Sequence, residues 1–389
     1  MTVTAKSTTR VVLLTAAGRS AVASLLVDGP RALAAVDALF HPLTVRPLAE
    51  RPFDRIVFGR WQSSEHGEEV VVCRRDERRV EIHCHGGQAA AAAIIASLVE
   101  RGCQEVSWQD WTRASHADPI ASAARMALAA APTERTATIL WDQYRGALTR
   151  ALVEIQRFLE SGDTTTALAR VDDLLRWSSL GSHLVKPWQV VFAGAPNVGK
   201  SSLTNALLGY QRAIVHDLPG TTRDVVAAVS ALDGCPVELA DTAGQRASDE
   251  PLEAAGIRLA QDRSAAADLV VLVFDASNPD PDRERTLCEG WPQALRVFNK
   301  CDLLPSGSLH AANAGSGLYA SALLGTGIEE LGREIASRLV PDAPAPGQAV
   351  PFTSEQVDVL GQVRSAVLAS EFDAARCAIG ALLASYSES

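Results

Sequence analysis

No pair of cysteines stands at CxxC spacing in this sequence. Its seven, Cys73, Cys84, Cys103, Cys235, Cys288, Cys301 and Cys377, are scattered, which suits a reducing cytosol rather than a disulfide framework. No apolar run reaches the roughly 18–20 residues of a membrane span. The longest are AAAAAIIASLV at 89–99 and LVVLVF at 269–274. The first residues, MTVTAKSTTRVVLL, lack the long apolar core of a signal peptide. These absences predict a soluble, cytoplasmic chain with no membrane partner. Basic excess is missing too: the formal net charge is −10, which argues against a wholesale nucleic-acid coat. Arg74, Arg75, Arg78 and Arg79 cluster, but Asp76 and Glu77 sit among them, and the cluster reads as a solvated strand–loop face. There is no internal repeat.

What is present is ordinary globular composition, 47% hydrophobic and 21% charged over 389 residues, enough for about two or three domains. The first ~115 residues carry strand-like segments at 11–14, 23–27, 54–59, 68–73 and 78–84, then an alanine-rich helix at about 88–101 closed by Gly102. From about 118 to 183 the period becomes helical. TATILWDQYRGALTRALVEIQRFLESG reads as one long helix with Leu140, Tyr144, Leu148, Leu152 and Ile155 on one apolar stripe ending near Gly162. From Trp188, short buried strands alternate with helices, the pattern of a parallel α/β sheet. Asp233-Gly234 between two apolar runs predicts a hairpin. PDAPAPGQAVP at 341–351 reads as a linker, followed by a helical tail from Ser354.

Five motifs in this α/β stretch carry chemistry. GAPNVGKSS (194–202) follows a strand and opens a helix. Gly194 and Gly199 let the backbone wrap phosphates, whose charge the loop N–H groups and the helix N-terminus stabilise, and Asn197, Val198 and Ser202 are counted with them as nucleotide-binding residues. Lys200 reaches the β- and γ-phosphates and Ser201 offers its hydroxyl to Mg²⁺. PGTTRD (219–224) supplies Thr221 and, as a second Mg²⁺ ligand, Thr222. DTAG (241–244) puts Asp241 in the Walker-B position, with Gly244 behind it. NKCD (299–302) selects the base: the Asp302 carboxylate accepts from guanine N1–H and the exocyclic amine, a donor pair adenine lacks. Asn299 ties that loop down and Lys300 lies along the base. SAL (321–323) presents the Ser321-Ala322 backbone to guanine O6. Five motifs in this order, each at a strand end, predict a GTPase that turns GTP into GDP and phosphate. Gln245, directly after DTAG, matches the water-orienting glutamine of Ras-type proteins, and Glu253 stands eight residues later.

GAPNVGKSS, PGTTRD and DTAG followed by RASDE resemble the MnmE (TrmE) tRNA-modification GTPases. The resemblance extends to LTAAGRSAVASLLVDGP (14–30), VEIHCHGG (80–87) and PFTSEQ (351–356). It implies a Ras-like P-loop G domain (187–344) inserted into an α-helical domain (116–186 plus 345–389). Before these comes a small α+β, folate-binding-like dimerisation domain (1–115). It further implies hydrolysis assisted by K⁺ as G domains pair across a homodimer. The K⁺ ligands carried over by position are the Asn197 side chain and the backbone of His216, Leu218 and Thr221. The family's water-organising glutamate falls on Glu253, three residues before Gly256-Ile257, and the family has an apolar residue at Gln245. Both residues stay candidates. The implied partners are tRNA and an MnmG-like FAD protein.

The resemblance breaks in places. The chain ends in ALLASYSES rather than the family's Cys-x-Gly-Lys, which reads as a shortened, divergent member, and CAIG (377–380) is only a superficial echo. The family's folate-contacting Arg is Leu26 here, and its Phe-Leu-Asn-Gly-Lys stretch has no match. Only Glu77 aligns with the acidic folate contact. Leucine cannot hold a carboxylate in a bidentate grip, which argues against formyl-tetrahydrofolate as a cofactor. Two functions follow as expectations: wobble-uridine modification of tRNA, or a regulatory GTPase module on the same scaffold. His83 and His85 read as structural, Cys301 as inert, and Trp108 and Trp111 as packing between domains.

Overall fold

The computed structural model describes residues 8–16, 20–43, 46–61, 67–115, 118–210, 227–241, 267–305 and 317–384. By contact the chain divides into two compact units, Met1–Ala117 and Asp118–Ser389.

The first unit is built on a seven-stranded sheet. Its strands are β1 (Arg10–Leu13), β2 (Val22–Asp28), β3 (Phe40–Pro42), β4 (Ile56–Trp61), β5 (Glu68–Arg74), β6 (Arg79–His85) and β7 (Gln104–Glu105), in spatial order β3-β4-β5-β6-β2-β1-β7. Every pairing is antiparallel except that of β1 with β7. Alternation along β2 and β6 sends Ala23, Leu25, Val27, Val80, Ile82 and Cys84 to one face. There they pack against Ile94, Ile95 and Leu98 of α2 (Gln88–Glu100) and Ala32 and Val36 of α1 (Ala32–Asp37). On the opposite face, Val12 and Leu26 are covered by Trp111 of α3 (Trp108–Ser115). Trp111, which the sequence suggested as packing between domains, lies on the sheet of its own unit: its Nε1 donates to Asp28 Oδ2 at 2.8 Å, fixing the ring there. The arginine cluster is a β5–β6 turn. Arg74 donates to the Ala49 carbonyl (2.6 Å), Arg75 pairs with Glu81 (2.8 Å) and Asp54 (3.0 Å), and Arg79 pairs with Asp76 (2.6 Å).

The second unit begins with helices α4 (Pro119–Ala129), α5 (Glu134–Tyr144), α6 (Ala147–Ser161), α7 (Thr164–Leu175) and α8 (Ser178–Ser182). The long helix expected over the Leu140–Ile155 stripe is two helices. Gly146 adopts φ +88° between α5 and α6, a left-handed turn that ends one helix and starts the next. The stripe survives the break, because Leu140, Leu148, Leu152 and Ile155 are all fully buried.

A six-stranded sheet follows, with β8 (Trp188–Ala193), β9 (Ala227–Leu232), β10 (Cys235–Asp241), β11 (Leu269–Asp275), β12 (Leu295–Asn299) and β13 (Leu318–Tyr319) in the order β13-β12-β11-β8-β10-β9. All pairs are parallel except the β9–β10 hairpin, whose Asp233 and Gly234 have the positive φ of a tight turn. Helices α9 (Lys200–Tyr210) and α11 (Ile328–Leu339) supply Leu203, Leu207, Leu331 and Ile335 to one face of the sheet. Leu287 of α10 (Pro281–Gly290) and Trp291 pack on the other face, against Leu272 and Phe274. The chain closes with α12 (Ser354–Leu368), started by a Thr353–Gln356 capping box, and α13 (Phe372–Ala384). They pack back onto the earlier helices, α12 on α7 and α13 on α6. One apolar cluster runs through this unit from Ile120 to Leu382.

Candidate nucleotide-binding site

The carboxyl ends of β8, β12 and β13 bring three of the five motifs to one edge of the second sheet, and Asp241, which opens a fourth, closes β10 there. β8 lies between β10 and β11, so the chain leaves it first to one side and later to the other. Such a crossover point leaves an open crevice beyond the strand ends.

The loop after β8 is shaped by three residues at positive φ: Gly194 (+151°), Asn197 (+62°) and Gly199 (+94°). Side chains at the two glycines would collide with fixed groups. A Cβ at 194 would strike the Val273 carbonyl, and one at 199 the Asn299 side-chain amide. The backbone therefore passes closer to its neighbours than any other residue allows, and it curls into a cradle at the start of α9. Lys200 is buried, and its Nζ donates to the carbonyls of Gly194 (3.0 Å) and Ala195 (2.8 Å) inside that curl. Val198 is buried beneath the loop. Ser201 and Ser202 are exposed in the first turn of α9, the end of a helix whose dipole favours anions. Asn197 is exposed on the rim, and its side chain makes no hydrogen bond among the described residues.

Asn299 is the joint of the site. Its side chain is buried (2% exposed), with Nδ2 donating to the Val198 carbonyl at 2.8 Å and Oδ1 accepting from Ala322 N–H at 3.1 Å. One amide thus clips the phosphate-type loop to the loop after β13. The Ser321 N–H is spent on the Thr326 carbonyl (2.9 Å), and its Oγ accepts from Leu324 N–H (3.1 Å). Both backbone donors of Ser321-Ala322 are thus engaged within the protein, so a contact from Ala322 N–H to guanine O6 has to share that hydrogen with Asn299. Lys300 has φ +64°, and Asp302 follows half-buried in a short 3-10 turn. Burial pushes the Cys301 thiol up, keeping it protonated.

One residue here had not been singled out from sequence. Asp275, the last residue of β11, lies beside Asn299 in the parallel register and accepts from Lys300 Nζ at 2.6 Å. Its other oxygen accepts from Ser277 N–H (3.0 Å) and Oγ (2.6 Å). Burial raises its carboxyl, but the Lys300 and Ser277 hydrogen bonds outweigh that and hold it below the usual carboxylate range. The available signal was a lone charge ending an otherwise apolar strand, LVVLVFD. Asp241 closes β10 opposite Phe192 in register. His216, Leu218, Thr221, Thr222, Gly244, Gln245 and Glu253 lie outside the described residues.

A family model described as 50S ribosome-binding GTPase matches residues 189–300. A protein of Symbiobacterium thermophilum named tRNA modification GTPase MnmE is 31% identical over 370 residues, covering 83% of this chain and 81% of its own. A protein of the same name from Synechococcus sp. (strain JA-3-3Ab) is 32% identical over 393 residues, covering 88% and 83%. The chain belongs to the MnmE family. It is a GTP-hydrolysing enzyme that binds GTP and GDP, and its second sheet with the Gly194–Ser202 loop is a P-loop G domain in an α/β multidomain protein. Among solved structures, the G domain of the T. maritima FeoB iron transporter matches 39% of this chain and 99% of its own at 27% identity. Its TM-score of 0.30 is too low to carry weight.

Of the other MnmE-like segments, 14–30 and 80–87 fall in the first unit and PFTSEQ (351–356) in the second. Leu26, at the position of the family's folate-contacting Arg, is buried (3% exposed) beneath Trp111. Glu77 is exposed in the β5–β6 turn. His83 Nδ1 meets Ser24 Oγ (2.9 Å) and its Nε2 faces Glu81 (3.5 Å), while His85 pairs with Glu68 (2.6 Å). Among the described residues no helix is long and apolar enough to cross a membrane.

Proposed function

We propose that this chain is an MnmE-type G protein acting in tRNA wobble-uridine modification, its G domain inserted into a helical domain and pairing with a second copy in a homodimer. In this reading the cradle from Gly194 to Ser202 holds the nucleotide phosphates, Lys200 neutralises them, and Asp302, Asn299, Lys300, Ser321 and Ala322 form the guanine pocket. Ser201, Thr222 and Asp241 would hold Mg²⁺. Asn197, with the backbone of His216, Leu218 and Thr221, would hold K⁺, and a cation there would offset charge developing at the β–γ bridge. The observation that carries the reading is Asn197: left-handed, exposed on the rim of the loop, and with its amide unspent among the described residues. The water is assigned to Glu253 rather than Gln245, because Glu253 keeps the family's register to Gly256-Ile257. An MnmG-like FAD protein is the expected partner.

GTP turnover measured in KCl and in NaCl tests this. We expect stimulation by K⁺ that is lost in Asn197→Ala, and a fall of about a hundredfold or more in Glu253→Ala. Loss in Gln245→Ala with none in Glu253→Ala would reverse the water assignment.

Leu26 favours a second reading. An apolar, covered side chain at the folate-contacting position fits a regulatory GTPase without the modification chemistry. Mass spectrometry of wobble uridines in a deletion strain lacking any other MnmE separates the two. Unchanged nucleosides there would sink the modification reading.

A further inference from the structure

Lysine is a poor choice for a fixed wall of a binding pocket unless something holds it, because its flexible four-carbon stem loses its rotamer freedom when immobilised. Here the stem is held from both ends. At the backbone, Lys300 sits at φ +64°, a conformation that persists in a non-glycine residue only where the surroundings over-determine it. Those surroundings are bonds from Cys301 N–H to the Ala320 carbonyl (3.1 Å) and from Leu303 N–H to the Lys300 carbonyl (3.1 Å). At the tip, the ammonium meets Asp275 Oδ2 at 2.6 Å. Asp275 is itself fixed: its side chain is 17% exposed, Oδ1 takes both Ser277 bonds, and Oδ2 is left for the lysine. A casual surface ion pair has two mobile partners and contributes little. This one has an anchored acid aimed at a residue whose backbone is already set.

We infer that Asp275 is a positioning residue for guanine nucleotides, acting through Lys300. It locks the lysine stem in the place where it lies along the base, so that the nucleotide meets a wall already ordered. The inference rests on the reading that Lys300 packs on the base, and the test separates the two.

Affinity for N-methylanthraniloyl-GDP is measured by fluorescence for the full chain, Asp275→Asn, Lys300→Ala and the double variant, with thermal unfolding as the check on folding. Asp275→Asn should weaken binding by about five- to tenfold, and the loss should fall on KM for GTP more than on kcat. In the Lys300→Ala background the same substitution should cost almost nothing, since the group it acts through is gone. A loss of undiminished size in that background would mean Asp275 works by another route, and the proposal falls. It falls too if Lys300→Ala weakens binding while Asp275→Asn does not. If Lys300→Ala itself leaves affinity unchanged, the base reading fails and takes this inference with it, a pattern distinct from Asp275 failing alone. Should Asp275→Asn not fold, Ser277→Ala keeps the carboxylate and loosens its aim. A loss of about two- to threefold that disappears without Lys300 supports the proposal. No loss, or one that persists, overturns it.

Discussion

Asn299 shows how much one side chain settles at this site. Its amide has a donor and an acceptor to place, and the structure spends them on two different loops, Val198 and Ala322. Removing it leaves the Val198 carbonyl without its partner in a region where Asn299 itself is 2% exposed, and such an orphan costs about 1–3 kcal/mol. Asn299→Ala should therefore lower the free energy of unfolding in urea by about 2 kcal/mol and weaken GDP binding by tenfold or more. Asn299→Asp keeps the acceptor for Ala322 N–H but sets a carboxylate against the Val198 carbonyl, and should fare no better in the same assays. Gly199 belongs to this joint as well: it is the closeness of Asn299, together with φ +94°, that rules out any side chain there.

Between elements, the helices of the second unit are placed by caps and by one glycine. Asp118 accepts from Ile120 and Ala121 N–H (2.8 and 3.0 Å) to start α4, and Thr133 with Thr136 starts α5. That same Thr133 donates to the Gly234 carbonyl (2.7 Å), and Arg135 donates to the Asp233 carbonyl (3.0 Å), so the first turn of α5 grips the tip of the β9–β10 hairpin. At its other end α5 holds the chain leaving α11: Gln143 donates to the Gln348 carbonyl (2.9 Å) and accepts from Val350 N–H (3.1 Å). The turn at Gly146 lets α6 leave at the angle that buries Leu148, Leu152 and Ile155. A side chain at φ +88° is strained by about 1–2 kcal/mol, and the nearest group to a Cβ there is only the flexible tip of Arg150. Gly146→Ala should then destabilise by about 1 kcal/mol with nucleotide affinity intact, read as a lower urea midpoint at constant m-value.

For the molecule as a whole, the two units keep separate cores. One cluster is drawn from Val11 to Cys103 and another from Ile120 to Leu382, with no shared residue among those described. A ligand that binds the second unit lends stability to what unfolds with it. At a hundred times its Kd it adds about 2.7 kcal/mol. Native-state hydrogen exchange should accordingly show GDP slowing the amides of β8, β11 and β12 by up to about a hundredfold while those of β2, β5 and β6 change little. Equal protection of both sheets would show that the units unfold as one.

The nucleotide motifs could be read from residues alone because their chemistry is local: a glycine-rich loop between strand and helix, and short signatures closing apolar strands, are specified within ten residues. The strands were legible for the same reason, since β11 is an unbroken apolar run up to its closing Asp275 and β6 and β12 alternate. Sequence also determined the family, through segments at both ends of the chain that a bare G domain lacks. Tertiary structure alone decided the rest. Asn299 and Val198 are 101 positions apart, Asp275 and Lys300 are 25 apart, and only the parallel register of β11 and β12 makes Asp275 a neighbour of Asn299. The break at Gly146 escaped the periodicity because the apolar stripe continues across it, and a glycine in a helical pattern does not declare its φ. Leu26 reads in sequence as a simple loss of charge, and only the fold lays the distant Trp111 over it. Spacing along the chain determines which groups a loop can offer; which of them meet is fixed by the pairing of strands and the burial of distant side chains.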